Sequence, residues 1–345
     1  MSDTTKTALV LGITGSVGRE MAQVLSQRGW QISALHRNPA AAGKTGGLLP
    51  DVRWLQGDSM QVADVVRAAE GATLIVHAVN PPNYHNWRGL ALPMLENTIK
   101  AAHTHGARIV MPATLYNFGS DAAPVLKENS PQRPPTAKGA VRVEMEMMLQ
   151  RASLYGVRAL VVRSGDFFGP GAGNSWLTRG IVRAKRRAKS LSYPGTPTVG
   201  HSWAYLPDLA ETVARLIDSP RPLANYEVFH FRGHWFERGV ELAEIICRLG
   251  DMPFRQIKPF PWWALKLAAP FVEVFREMGE MRYLWEVPLR LDNDKLCAHI
   301  GEEPHTPIEA ALSATLGHLL TPPSQRPSAR TDLKQSTNNS MAVLS

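Results

Sequence analysis

Ala8-Leu9-Val10-Leu11-Gly12-Ile13-Thr14-Gly15-Ser16-Val17-Gly18 is an aliphatic run that breaks into three glycines at three-residue spacing. The run has the composition of a buried strand. Beyond it, Val17, Met21, Val24 and Leu25 recur at helical spacing, which predicts a helix over 17–28. Glycines at such a junction permit a tight turn and a close backbone approach to a pyrophosphate. The helix N-terminus adds free N–H groups and a positive dipole end. Gly12, Thr14, Gly15, Ser16, Val17 and Gly18 are therefore candidate contacts to a dinucleotide.

Outward from this junction, apolar runs alternate with helical patterns as far as residue 165. Strands are predicted at Ile32-Ser33-Ala34-Leu35, Val52–Leu55, Thr73–His77, Ile109–Met111 and Val157–Val162. Helices are predicted over 61–69, 88–105 and 138–154. Such alternation implies an α/β fold, a Rossmann-type doubly wound parallel sheet covered on both faces. Glycine and proline then become dense, as in Gly169-Pro170-Gly171-Ala172-Gly173. We read residues 1–165 as the dinucleotide-binding domain and 166–320 as a smaller C-terminal substrate-binding lobe. Helices are predicted there over 207–217, 239–249 and 307–319, with some chain returning to the first domain near 200–218. Residues 321–345, rich in Pro, Ser, Thr and Asn, read as a disordered tail.

Open α/β sheets bind ligands at the carboxyl ends of their strands. Strand two ends in Leu35-His36-Arg37-Asn38 rather than in an acidic residue. An arginine's planar fork suits a 2′-phosphate, so NADP(H) is expected, with His36, Arg37 and Asn38 near it. Asp58 and Ser59 follow strand three, beside the adenine. Ala78, Val79 and Asn80, leading into Pro81-Pro82, run along the cofactor's middle.

Composition narrows the class. The net charge is +8, with Arg179, Arg183, Lys185, Arg186, Arg187 and Lys189 clustered. No aromatic interleaving accompanies them, so a solvated face near an anionic ligand is preferred over nucleic acid. Cys247 and Cys297 are too few for a disulfide framework. His103 and His105 read as surface, and no metal site is expected. Met1–Lys6 lacks a signal-peptide pattern. The most apolar stretch, Pro261–Phe275, contains Lys266 and Glu273 and falls short of the roughly 20 residues of a membrane span. A cytoplasmic protein is expected.

At this point the chain resembles the short-chain dehydrogenase/reductase superfamily, in its extended, epimerase/dehydratase-like and atypical branches. The resemblance runs from residue 7 to about 320. It is carried by Gly12–Gly18, Gly57-Asp58, His77-Ala78, Pro112-Ala113-Thr114 and Arg163-Ser164-Gly165-Asp166-Phe167-Phe168-Gly169-Pro170-Gly171. His201-Ser202-Trp203-Ala204-Tyr205-Leu206-Pro207-Asp208-Leu209-Ala210, Leu291–Lys295 and Pro304–Pro307 add to it. The resemblance implies that Ala113 and Ser164 border the cofactor and that Thr114 is the catalytic hydroxyl. It also places a tyrosine at 138 and a lysine at 142, where this chain has Lys138 and Arg142. Lys138, Arg142 and Glu146 match the spacing of the isoflavone and pinoresinol reductase group. That likeness implies NADPH, a phenylpropanoid-like substrate and Lys138 as general acid/base.

A lysine is a poor acid at its reference pKa of about 10.4. Burial and the neighbouring Arg142 would lower it, and a cofactor phosphate would raise it. Lys138 is thus either a proton carrier or a clamp on the cofactor, with Arg142 a fixed charge one turn on. Glu146 is expected to pair with Arg142. Tyr116 and Tyr84 are alternative hydroxyls. Trp87, Phe167, Phe168, Trp176, Trp203, Tyr205, Trp262, Trp263 and Trp285 suggest an apolar, aromatic pocket, though each suits a core equally. The expected function is NADPH-dependent oxidation or reduction of an apolar or aromatic small molecule. The alternatives are an NADPH-using phenylpropene oxygenase, a nucleotide-sugar epimerase or dehydratase, and a non-catalytic NADP-binding sensor. A homodimer is left open.

Overall fold

The computed structural model describes residues 6–45, 51–81, 86–122, 124–183, 188–268 and 273–320. The chain alternates strand and helix through β1 (Thr7–Leu11), α1 (Ser16–Gln27), β2 (Gln31–His36), α2 (Pro39–Thr45), β3 (Arg53–Gln56), α3 (Val62–Ala68), β4 (Leu74–His77), α4 (Trp87–His105) and β5 (Arg108–Thr114). The short β6 (Val125–Leu126) precedes α5 (Ala137–Ser153) and β7 (Arg158–Ser164). There follow β8 (Asp166–Phe168), β9 (Leu191–Tyr193), β10 (His201–Tyr205), α6 (Leu206–Asp218), β11 (Tyr226–Phe231), β12 (His234–Phe236) and α7 (Glu241–Leu249). The last elements are β13 (Ile257–Pro259), α8 (Trp262–Ala268), α9 (Glu273–Glu280), β14 (Arg290–Leu291), α10 (Asp294–Ile300) and α11 (Ile308–Leu320).

Seven strands form the central sheet in the order β11-β7-β5-β4-β1-β2-β3, with every neighbouring pair parallel. β1, β4, β5 and β7 are buried along nearly their whole length, as parallel strands covered on both faces must be. On one face Met21 and Leu25 of α1 pack with Leu209 and Val213 of α6. On the other, Val65, Leu95 and Met145 come from α3, α4 and α5. A separate cluster beyond the sheet's carboxyl edge joins Phe168, Trp203, Trp285, Leu242 and Leu312.

The predicted elements fall within two residues of the observed ones, save β5, which runs three residues past the predicted Met111 to Thr114. The sequence predicts none of α2, β6, β8 to β14 and α8 to α10. Of these, β11 joins the central sheet. In Tyr226-Glu-Val-Phe-His-Phe the polar positions resemble a surface alternation. In the fold His230 is fully buried on the central sheet, and Glu227 binds Lys295 Nζ at 2.5 Å. Among the described residues no helix is long and apolar enough to cross a membrane. The expected tail over 321–345 lies outside the described residues.

Candidate active site

The carboxyl ends of β1, β2, β4 and β5 bring most of the predicted contacts together. Gly12 turns out of β1 with φ +87°. A Cβ there would lie 2.6 Å from the Ala78 carbonyl oxygen and 2.8 Å from the Val79 nitrogen, so this turn needs glycine. Gly15 N–H donates back to Gly12 O at 3.0 Å. No side chain caps α1, which leaves its first amides for an outside acceptor. Thr14 and Gly15 are exposed, Ser16 and Val17 half-buried, and Gly18 buried. This cradle of backbone and uncapped amides fits a dinucleotide pyrophosphate.

At the end of β2 the His36 ring Nδ1 accepts from Asn38 N–H at 3.0 Å, and Asn38 Oδ1 accepts from Ala41 N–H at 3.1 Å. Both side chains serve the turn into α2, and Arg37 between them is exposed. After β3, the Asp58 carboxylate accepts from Met60 N–H (3.0 Å) and the Ser59 carbonyl from Asn97 Nδ2 (2.9 Å). Ser164 is fully buried, its hydroxyl donating to the Ala113 carbonyl at 3.1 Å.

His77 closes β4. Thr98 Oγ1 donates to Met94 O, so it accepts from His77 Nδ1–H at 2.9 Å. Nε2 then carries the lone pair. Burial, and secondarily the Arg142 charge, pull this imidazole down to about 3, so it is neutral.

Thr114 ends β5, and its buried hydroxyl lacks a hydrogen-bond partner among the described residues. Thr136 Oγ1 caps α5 by accepting from Gly139 N–H at 3.1 Å. A Cβ on Gly139 would run into the Tyr116 carbonyl oxygen, so glycine lets the helix start directly on that backbone. The contact sets Lys138, only 4% exposed, beside the segment carrying Thr114 and Tyr116.

Arg142 donates to Asn80 Oδ1 at 3.0 Å, with its guanidinium 4.9 Å from the Trp87 ring centroid. The expected Arg142–Glu146 pair does not form. Glu146 instead pairs with Arg163 of β7 at 2.6 Å and accepts from Asn117 and Gln132. Helical spacing suggested the first pairing, but the sheet supplies Glu146 with a closer cation.

Thr114, Tyr116, Asp166, His201, Leu284 and Leu289 line a narrow cleft. Asp166 and His201 were not singled out in the sequence. β8 and β10 run parallel with Trp203 opposite Asp166, which brings His201 Nε2 to 2.9 Å from Asp166 Oδ2. The two lie inside the quoted motif segments, but nothing local there signals their pairing. The expected aromatic lining is corrected as well. Phe168, Trp203 and Trp285 are core residues beneath the cleft, and Trp176 packs on Trp262 and Trp285. Tyr84 and Lys185–Arg187 lie outside the described residues. Among the described residues no group of three or more His, Cys, Asp or Glu could hold a metal ion.

A family model described as NAD dependent epimerase/dehydratase family matches residues 8–230. No curated protein matches the chain in sequence. Among solved structures, a UDP-glucuronic acid 4-epimerase from Bacillus cereus, in complex with UDP-glucuronic acid and NAD, superposes with a TM-score of 0.70 at 12% identity, over 91% of this chain and 98% of that one. A dTDP-glucose 4,6-dehydratase from Bacillus anthracis str. Ames, in complex with NAD, gives 0.70 at 13% identity, over 91% and 96%. The enzyme WbmH of Bordetella bronchiseptica, in complex with NAD+, gives 0.66 at 16% identity, over 91% and 98%. At these identities the likeness is one of fold.

Proposed function

The chain belongs to the NAD dependent epimerase/dehydratase family, and from that premise we propose that it is a nicotinamide-dependent enzyme acting at a carbinol carbon of a nucleotide-linked sugar. The observation that carries this reading is the buried Thr114 hydroxyl, without a partner among the described residues, on a residue that lines a cleft at the same sheet edge as the Gly12 turn. A dinucleotide held by the Gly12 turn and the uncapped α1 amides would supply the hydride acceptor and donor. Thr114 Oγ1 hydrogen-bonds the substrate oxygen. Lys138 and Arg142 supply positive charge beside the reacting oxygen and the cofactor, with Arg142 oriented by Asn80. The sugar class rests on the fold neighbours, which bind UDP-glucuronic acid or act on dTDP-glucose.

Arg37 supports a finer expectation. It is exposed at the end of β2, with no acidic residue in its turn, and a planar fork there favours NADP(H) over NAD(H). We also infer that the enzyme works in the cytoplasm.

A second reading, reduction of an apolar or aromatic molecule by NADPH, is favoured by Leu284 and Leu289 in the cleft wall. One experiment separates the two. The protein is given NAD+ or NADP+ with UDP-glucuronic acid or dTDP-glucose, and NADPH with a panel of phenylpropanoid-like aromatics. Conversion of a nucleotide sugar supports the first reading. NADPH oxidation with the aromatics alone overturns it in favour of the second.

A further inference from the structure

We propose that His201 is the acid/base of this site and that Asp166 is its positioning residue, an inference that rests on the carbinol reading above. His201 is 6% exposed, and its ring is stacked on Trp285 at 3.9 Å with 12° between the planes. The stacking fixes the plane of the ring, and Asp166 fixes its rotation by accepting from Nε2 at 2.9 Å. A carboxylate only accepts, so Nε2 bears the hydrogen and Nδ1 the lone pair. Both side chains line the cleft that Thr114 and Tyr116 line from the other strand end. A substrate oxygen held by Thr114 therefore shares its cleft with an oriented imidazole, the side chain suited to exchanging a proton near neutrality. Lysine, by comparison, must first lose a proton before it can act as a base.

The step balances as follows. The substrate hydroxyl gives its proton to His201 Nδ1, and the O–H electron pair becomes the second bond of the carbonyl. A dinucleotide held at the Gly12 turn would take the carbon's hydrogen, with its bonding pair, as hydride. Asp166 faces the imidazolium so formed. In the reverse direction the imidazolium returns the proton as hydride comes back.

Burial shifts other ionisable groups packed around His201. Burial pushes Tyr193 and Tyr283 above the ordinary phenol range, with Asp166 adding to the shift at Tyr283. Burial, with His305, pulls His234 on the adjoining β12 down to about 4. Tyr116 is the remaining titratable group lining the cleft.

Two measurements on the full chain test the proposal. The first is nitrogen-detected NMR of labelled histidines in cofactor-free protein, with His201 assigned through His201→Gln. We expect the Nε2–H tautomer. In Asp166→Asn the amide nitrogen donates instead, and the tautomer should reverse. A His201 that is Nδ1–H in wild type overturns the proposal even if no substrate is known. The second is turnover with UDP-glucuronic acid or dTDP-glucose and NAD+ or NADP+. His201→Ala should lose about a hundredfold or more in kcat, with cofactor affinity kept and added imidazole restoring part of the rate. Asp166→Asn should lose rate without unfolding. Undiminished turnover in His201→Ala, or no rescue by imidazole, overturns the proposal. A wild type that turns over neither sugar counts against the carbinol reading, and the tautomer measurement still decides the histidine.

Discussion

Arg163 and Glu146 form an ion pair at 2.6 Å with side chains 2% and 4% exposed, tying β7 to α5 beneath the candidate active site. Arg163 also donates to the Glu128 carbonyl, and Asn117 and Gln132 complete the Glu146 carboxylate. Removing one partner strands the other as a buried charge. Glu146→Ala should therefore destabilise the fold by about 3 to 5 kcal/mol. Replacing both residues by methionine should recover much of that loss. Chemical denaturation of the single and double variants checks this.

Gly12→Ala should abolish cofactor binding before it unfolds the protein. The added Cβ meets the backbone of Ala78 and Val79, and φ +87° disfavours any side chain. Cofactor fluorescence titration should show affinity lost, with a melting temperature lowered by several degrees. Retained affinity would mean that the turn does not touch the dinucleotide.

Thr114→Val keeps the shape of the side chain and deletes a buried hydroxyl that lacks a partner among the described residues. Stability should stay level or rise by about 1 kcal/mol, because no internal hydrogen bond is lost. Turnover should fall at least tenfold. The opposite pattern, stability lost and rate kept, would make Thr114 a packing residue.

His77 and His230 are each pulled from 6.5 to about 3, by burial first and then by Arg142 and Arg163 respectively. The unfolded chain binds these protons more readily than the fold does, so stability rises with pH across this interval. It is fully present above about 6.5 and is lost as pH falls toward 3. At about pH 5, His77 alone should remove about 2 kcal/mol. Denaturation across this range should show the loss reduced in His77→Gln, where an amide can still donate to Thr98.

The sequence makes the glycine turn legible because strand, turn and helix follow one another within a few residues. The same holds for Lys138 and Arg142, one helical turn apart on α5. The partnerships deeper in the fold are not local. Asp166 meets His201 across 35 residues because β8 pairs with β10. Glu146 meets Arg163 because β7 lies against α5, whereas helical spacing pointed to Arg142. The tryptophans were ambiguous for a related reason. A residue's type does not say whether it lines a cleft or supports one, and Trp285 lies beneath this cleft as the stacking surface for His201.

The most direct test incubates the protein with NAD+ or NADP+ and, in turn, UDP-glucuronic acid and dTDP-glucose, following the sugar nucleotide by chromatography and mass spectrometry. We expect a cofactor-dependent product, either an epimer of unchanged mass or a dehydration product lighter by one water, formed at least tenfold more slowly with Thr114→Val. Recovery of both sugar nucleotides unchanged, alongside NADPH oxidation with an aromatic acceptor, would contradict the nucleotide-sugar assignment.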